Sequence, residues 1–496
     1  MARKWWTLIV VCVATFMLLL DITVVNTALP DIQDDLDASF TDLQWVVDAY
    51  TLTLAAFTLS AGSLADRLGR RRVFAWGLAI FTVSSLACAL APSAAALNVA
   101  RAFQGVGGAV MFAVSLALIA QEFRGRELGT ATGIYGATIG GAVAIGPLVG
   151  GALTEGLGWE SIFYLNVPIG IAAVALTMRQ VRESRDPDAP GVDWIGTLTF
   201  SGSLLMLVLA LLRGNTEGWG STNIVLLLTG AAVLFASFVY SQTEVRNPML
   251  PLSLFRIPSF TGVQLAAFAV AGSQFALFLY ITLYLQNILG HSPLEAGLRY
   301  LPITLASFFV APIAGQLVGR IQARYLIGGG LALAGLGLIM MSGVGEGDTW
   351  TTLLGGFLVG GVGIGLLNPP TAAVAVQVVE RTQSGMAAGI NNTFRQVGIA
   401  VGIAAYGALV LDRAESEIAE RTATGDPHRI AEAVSSGGVP GGSQEVVTAA
   451  REGFFAGFNE ILLIGGGLSL AGAVAAILLV RSKDMRPDPV PAAAAA

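Results

Sequence analysis

Fourteen stretches of this chain are long and apolar enough to cross a bilayer, and most are separated by only a few polar residues. A helix needs about 20 mostly apolar residues for that crossing. The runs fall at 5–29, 42–64, 73–91, 94–121, 128–153, 160–180, 194–212, 222–242, 259–287, 294–318, 323–343, 350–377, 385–411 and 454–480. Backbone polar groups in lipid must be satisfied within the segment, so each run is predicted to be a helix. An even number of spans puts both termini on one side. The opening "MARKWW" resembles the start of a signal peptide, but the apolar run behind it is roughly twice the usual length and more spans follow. It is read as a first helix that stays.

Charge then orients the pattern. Arg3, Lys4, Arg67, Arg70, Arg71, Arg72, Arg124, Arg126, Arg179, Arg182, Arg256, Arg320, Arg324, Arg381 and Arg481 all fall on the side of Met1. The short loops opposite hold almost none, and "DIQDDLDASFTD" is purely acidic. By the positive-inside rule both termini are expected in the cytoplasm of a cell-membrane protein. The long loop at about 412–453 is then outside, with a polar, Gly-rich second half expected to be mobile. The tail 481–496, ending "PVPAAAAA", is expected to be disordered.

Composition excludes more than it adds. The 496 residues are 54% hydrophobic and 12% charged, against about 25% charged in soluble domains. Sixty-one glycines suit closely packed membrane helices. The net charge of −6 carries little meaning once the charges are sorted by side. No basic, aromatic-interleaved surface points to nucleic acid. Cys12 and Cys88 fall towards opposite bilayer faces, and His291 and His428 in separate loops, so neither a disulfide nor a metal site is expected. The only lysines are Lys4 and Lys483, and neither lies in a phosphate-binding Gly-x-x-x-x-Gly-Lys loop. No Gly-x-Ser-x-Gly or His-Glu-x-x-His occurs. An ATP-driven pump or membrane enzyme is thereby disfavoured, and no cofactor is expected.

The chain also repeats itself. "AGSLADRLGRRRVFAWG" (61–77) aligns with "AGQLVGRIQARYLIGGG" (314–330) at an offset of 253. "GVG" at 105–107 matches 361–363, and "GTATGI" (129–134) matches "GMAAGI" (385–390), both at 256. Spans 1–6 therefore correspond to spans 9–14, with spans 7 and 8 inserted. Two parallel six-span halves are an architecture of secondary transporters. The domains expected are 5–180, the extra pair 194–242, and 259–480.

Three ionisable side chains interrupt the apolar runs at one depth. Asp21 in "FMLLLDITVVNTALP", Asp48 in "LQWVVDAY" and Arg101 in "RAFQGVGGA" each lie roughly 9–12 Å below the outer surface at about 1.5 Å per residue. An acid at a helix centre in lipid costs on the order of 2.5–3.5 kcal/mol, so such residues usually mark a pathway or a relay. Convergence of the three on a common cavity is expected; separate snorkelling to the interface is the alternative. The repeat places Gln274 and Leu301 opposite Asp21 and Asp48, so the second half has no equivalent set. Burial favours the neutral form of a carboxylate and a neighbouring arginine the charged form. A group under both influences can switch, as a proton carrier must.

Two glycine-rich stretches suggest moving parts. In "GSLADRLGRRR" (62–72), Gly62 and Gly69 permit tight turning, while Asp66, Arg67, Arg70 and Arg71 offer charge-assisted clasps. A cytoplasmic gate is expected there; a loop that only sets topology would need the arginines but not the spacing. Span 5, "GTATGIYGATIGGAVAIGPLVGG", carries Gly141, Gly146, Pro147, Gly150 and Gly151 near its outer end. One face is nearly bare backbone, and Pro147 frees a carbonyl, which fits a packing surface or a hinge between the halves.

These motifs, in order, resemble the signatures of the major facilitator superfamily. The span count and "INNTFRQVGIAVG" in span 13 resemble its 14-transmembrane-helix drug:proton antiporter branch, the EmrB/QacA type of multidrug efflux transporter. The likeness covers about residues 10–480 and specifies no substrate. It implies an all-α integral membrane protein of the major facilitator fold, two six-helix bundles plus two inserted helices, rocking around a midplane site. It also implies that Asp66 and Arg67 belong to the cytoplasmic gate, that Asp21 and Arg101 couple protons, and that span 5 is the antiporter hinge. Polar handles for a substrate would be Gln274, Tyr280, Asn391, Asn392 and Arg395, although an interhelical hydrogen bond is the commoner role for each. Span 13 offers no carboxylate, which disfavours a divalent cationic drug. The function expected is proton-coupled export of small amphipathic or cationic compounds by a monomeric unit in the lipid bilayer. A dedicated exporter of one metabolite or antibiotic, or a proton-coupled importer, is the alternative.

Overall fold

The computed structural model describes residues 3–123, 125–185, 191–318, 320–379, 384–421, 426–435 and 444–485, which are helical without a named β-strand. The first half comprises α1 (Arg3–Leu36), α2 (Phe40–Leu68), α3 (Arg70–Ala89), α4 (Ala94–Glu122), α5 (Gly125–Leu157), the short α6 (Ser161–Tyr164) and α7 (Asn166–Gln180). A hairpin of α8 (Trp194–Glu217) and α9 (Thr222–Glu244) follows. The second half holds α10 (Pro258–Val270), α11 (Ala276–Leu283), α12 (Pro293–Arg299), α13 (Leu301–Leu317), α14 (Ala323–Met341), α15 (Thr351–Gln377), α16 (Ser384–Arg421), α17 (Pro427–Ser435) and α18 (Gln444–Leu479). Among the described residues twelve helical stretches are long and apolar enough to cross a membrane. Helices α2 and α5, of 29 and 33 residues, have the length as well.

Helix starts follow local chemistry. Ser39 and Asp42 form a reciprocal cap at the start of α2, with Asp42 N donating to Ser39 Oγ over 3.2 Å and Ser39 N to Asp42 Oδ2 over 3.1 Å. Such caps satisfy donors that the helix cannot. Ser292 and Glu295 do the same for α12. Between α2 and α3 the chain turns on Gly69 at φ +110°, a conformation hostile to residues with a Cβ.

Glycines set the spacing inside each half. A methyl at Gly107 of α4 would lie 2.8 Å from the Gly77 carbonyl of α3, and one at Gly363 of α15 would lie 2.5 Å from the Gly330 carbonyl of α14. These crossings occupy corresponding places in the internal repeat, so the two halves reuse one packing solution. Outward faces carry Trp76, Val83, Leu198, Leu226, Phe309 and Leu478, all exposed. In lipid such residues face their own solvent.

The halves meet mainly towards the end that bears the acidic loops. Gln44 of α2 donates to Tyr280 Oη (3.1 Å) and to the Ile403 carbonyl (3.3 Å). Gln286 donates to the Thr27 carbonyl over 2.8 Å. Glu155 accepts from Ser292 Oγ (2.7 Å) and Leu294 N (3.2 Å). Nearer the middle, Thr393 donates to the Ala55 carbonyl over 3.5 Å. The α8–α9 hairpin lies along this seam: Leu204, Val208 and Leu212 pack with Leu52, Ala55, Ala400 and Ala404.

Several predicted spans are remodelled. Span 6 breaks at Leu165 and span 10 at Tyr300. Span 9 contains two wide, π-helical turns, Ala271–Phe275 and Tyr284–Ile288. The segment beyond span 13 is not simply a loop: α16 continues to Arg421, α17 follows, and α18 begins at Gln444. Leu411, Ala414, Ile418 and Ala431 form a small core there, and Arg421 pairs with Glu417 and Glu452. Apolar spacing, not span length alone, carries the helices past the membrane. Glu460, which had no role in the sequence, lies 3.8 Å from Arg413 beside this small core. Most of the Gly-rich stretch expected to be mobile, and the tail from 486, lie outside the described residues.

Candidate transport site

Asp21 is buried inside the first half, not on its lipid face. Its Oδ2 accepts from Arg101 Nη1 at 2.5 Å, and both side chains are 1% exposed. Oδ1 accepts from Gln104 Nε2 (2.9 Å) and Asn166 Nδ2 (3.1 Å). Arg101 Nη1 also reaches Gln104 Oε1 (2.8 Å), Arg101 Nε donates to the Val46 carbonyl (3.0 Å), and the guanidinium lies 4.4 Å from the Tyr50 ring centre. Asn166 is held by Ser85 (3.0 Å), which donates in turn to the Phe163 carbonyl (3.0 Å). Cys88 Sγ stands 3.6 Å from Gln104 Oε1. Residues from α1, α3, α4 and α7 thus close around one ion pair, with an α2 carbonyl completing the arginine's set.

A buried ion pair recovers its desolvation cost only when its remaining donors and acceptors are satisfied. Here the carboxylate receives three donors, and the arginine is shared among a carboxylate, an amide and a carbonyl. Gln104 follows Arg101 by one helical turn, a spacing legible in "RAFQ". Asn166 stands as an amide among apolar residues in "FYLNVPIG". Sequence reasoning passed over both.

Asp48 does not join this network. It is fully buried on α2, one turn beyond Gln44, and neither carboxylate oxygen has a hydrogen-bond partner. Two of the three predicted ionisable groups therefore meet, and the third stands apart near the seam.

In the 62–72 loop, Arg71 N donates to Glu183 Oε1 (3.0 Å), and Glu183 Oε2 lies 3.7 Å from both Arg71 Nε and Arg72 Nε. Arg70 N donates to the Ser184 carbonyl (2.9 Å). Glu183, just past α7, anchors the arginine loop, a pairing that a sequence separation of 112 hid from the sequence. The Asp66 side chain lies outside the described residues; Gly62 has open space around it, and Arg67 is exposed.

Span 5 packs on two sides through its glycines. A Cβ at Gly146 or Gly150 would collide with the hydroxyl of Thr23 or Thr27 on α1. One at Gly151 would collide with the Pro293 carbonyl, and one at Gly297 of α12 with the Pro147 carbonyl. Gly141 has open space. The far end of α5 thus contacts both halves through backbone.

The predicted polar handles separate by environment. Gln274 is buried and donates to the Ala334 carbonyl over 2.7 Å. Tyr280 is sealed in the seam, its hydroxyl on the Ile403 carbonyl at 2.6 Å. Asn391 donates to Gln264 Oε1 over 3.0 Å. Asn392 and Arg395 keep partial exposure. Arg395 Nη2 donates to Asn368 Oδ1 over 2.7 Å, and its guanidinium lies 5.8 Å from the Phe275 ring centre. Among the described residues no cluster of three His, Cys, Asp or Glu side chains is arranged to hold a metal ion.

Paired helical halves that meet along a seam closed at one end, with a buried charge network inside the first half, have the architecture of a secondary transporter. The family model "Major Facilitator Superfamily" matches residues 11–403, and the chain belongs to that superfamily. It is 39% identical to "Multidrug resistance protein Stp" of Mycobacterium tuberculosis, over 82% of this chain and 75% of the relative. It is 32% identical to the "Tetracenomycin C resistance and export protein" of Streptomyces glaucescens, over 99% of this chain and 95% of that one. The "Puromycin resistance protein pur8" of Streptomyces alboniger is 38% identical over 81% of each chain. Among solved structures, a bacterial homologue of the human lysosomal transporter Spinster, inward-facing and occupied, matches with a TM-score of 0.67. It covers 99% of this chain and 100% of that chain at 16% identity, which supports the fold.

Proposed function

We propose that the chain is a proton-coupled exporter of small amphipathic compounds, of the 14-span drug:proton antiporter branch. Its arginine-rich end lies in the cytoplasm, and a monomer is the transport unit. The observation that carries the reading is the buried Asp21–Arg101 pair with its amide partners Gln104 and Asn166. A carboxylate balanced between a fixed positive charge and neutral donors can hold either a proton or an ion pair, depending on how far the arginine stands. Rearrangement of α1 against α4 changes that distance and so links proton release to helix movement. Asp48, with two unpartnered oxygens beside the seam, is a second proton station. The bundles at 5–180 and 259–480 rock about α5, and the Glu183-anchored arginine loop belongs to the cytoplasmic gate. Contacts near the acidic loops fit a state closed to the outside. The names of the relatives, which include multidrug resistance and single-compound export, support efflux.

The test is proton flux in liposomes under an imposed pH gradient, with a panel of neutral, acidic and cationic drugs added. The wild type is expected to dissipate the gradient with at least one compound and Asp21→Asn with none. Equal responses from both proteins would remove Asp21 from coupling. A response confined to one compound would favour a dedicated exporter.

A further inference from the structure

Arg395 is a cation deep in a membrane-spanning helix, and among the described residues no acid pairs with it. It lies nine residues inside the candidate span beginning at Met386, roughly 14 Å deep at about 1.5 Å per residue. Its one hydrogen-bond partner among the described residues is the neutral amide of Asn368, and no carboxylate there pairs with it. The contrast with Arg101 is direct. That arginine is sealed and neutralised by Asp21, whereas Arg395 is half-buried, as are Asn368 and Phe275. Two residues earlier, Thr393 reaches α2 across the seam, so this stretch of α16 borders the other half.

Its surroundings are aromatic. Phe275 ends the wide turn Ala271–Phe275, and Phe275 and Phe278 pack edge to face with ring centres 5.8 Å apart. Both are half-buried. Wide turns inside helices recur at functional sites because they re-aim side chains. A guanidinium presents a rigid fork that matches a carboxylate or enolate, and flat rings can cover the aryl body behind such a group.

We infer that Arg395, backed by Asn368 and the Phe275–Phe278 wall, is the substrate's anion-binding point, so this transporter favours aromatic compounds bearing an acidic group over cationic ones. The inference deepens the exporter reading above and rests on it for the direction of transport, but not for binding. An arginine cannot discharge by losing a proton under ordinary conditions. A ligand anion supplies the counter-charge that no described carboxylate supplies.

The experiment measures equilibrium binding to the full-length protein in detergent with three probes on one ring system. These are anthraquinone-2-carboxylic acid, its methyl ester, and 2-(aminomethyl)anthraquinone. The acid is expected to bind the wild type at least tenfold more tightly than the ester or the amine. Arg395→Gln should erase that preference while leaving ester affinity within about twofold, and Arg395→Lys should keep part of it. Thermal melting of each variant excludes misfolding, and Arg395→Lys supplies the charge-retaining control. Equal or tighter binding of ester or amine to the wild type would overturn the inference. So would an unchanged acid preference in Arg395→Gln, or no binding of the acid up to its solubility limit. A matching gain of acid affinity in Asp48→Asn would make Asp48 the internal counter-ion of Arg395, and would overturn it too. Because no proton gradient is involved, loss of proton coupling leaves these outcomes untouched, and the two readings fail separately.

Discussion

Asp21 and Arg101 are each expensive alone and tolerable together, and the asymmetry between them is testable. Removing one partner of a buried pair typically costs about 3–5 kcal/mol because the other charge is left uncompensated. A stranded carboxylate can escape by taking a proton; a stranded guanidinium has no such exit. Asp21→Asn is therefore expected to lower thermal stability more than Arg101→Gln does, by at least 1 kcal/mol on that scale. Parallel melting curves in detergent at pH 6 would show the order, and a reversed order would mean that the pair does not carry its charges buried. Asn166→Leu should impair substrate-driven proton flux while export down a substrate gradient persists, since the amide positions Asp21.

Elements here are defined by where backbones approach. Gly69 holds α2 and α3 together at φ +110° with Glu183 just above it. Gly69→Ala puts a Cβ in a left-handed conformation that costs roughly 1–2 kcal/mol and pushes it against the carboxylate that anchors Arg71 and Arg72. A lower melting temperature with slowed export is expected, and an unaffected export rate would detach this turn from gating. Helix α5 is read the same way from its other end. Gly151→Val should drive α5 from α12 and weaken closure near the acidic loops. Increased labelling of a cysteine placed at Ser292 by a membrane-impermeant maleimide would report it.

Across the whole molecule, closure is concentrated at one end, with Glu155–Ser292, Gln286–Thr27 and Gln44–Tyr280 as fasteners. A short reducible cross-link between cysteines at Glu155 and Ser292 is expected to stop transport, and a reductant to restore it; continued transport would show that these ends do not separate. Energetics give a second test. One proton entering across 100 mV releases about 2.3 kcal/mol, and a unit of pH gradient adds about 1.4. If the substrate is a monoanion leaving the cell, its own charge adds another increment of about 2.3 kcal/mol. At one-to-one exchange, uptake into inverted vesicles should respond about twice as steeply to a potassium-diffusion potential for an acid as for its ester. Equal slopes would mean that the acid crosses without its charge, as the protonated form.

Periodicity, charge sorting and the repeat were sufficient for the helices, the paired halves and the residues worth watching, because hydrophobic length and the location of arginines are local properties. Apolar spacing in 411–418 and 430–434 also contained the helices past span 13, but a search for membrane spans discards such a signal once the length is met. The breaks at Leu165 and Tyr300 and the wide turns of span 9 have no comparable local mark. Which polar side chains meet was decided only by the tertiary structure. Asp21 and Arg101 are 80 residues apart, and Asp48 looked equivalent to them in depth until rotation of α2 left it without a partner. The same holds for Arg395: that no described carboxylate pairs with it is a fact about its neighbours from α15 and the turn at Phe275. Sequence fixes how deep a residue sits in a helix; helix rotation and crossing, summed over the fold, decide what it faces.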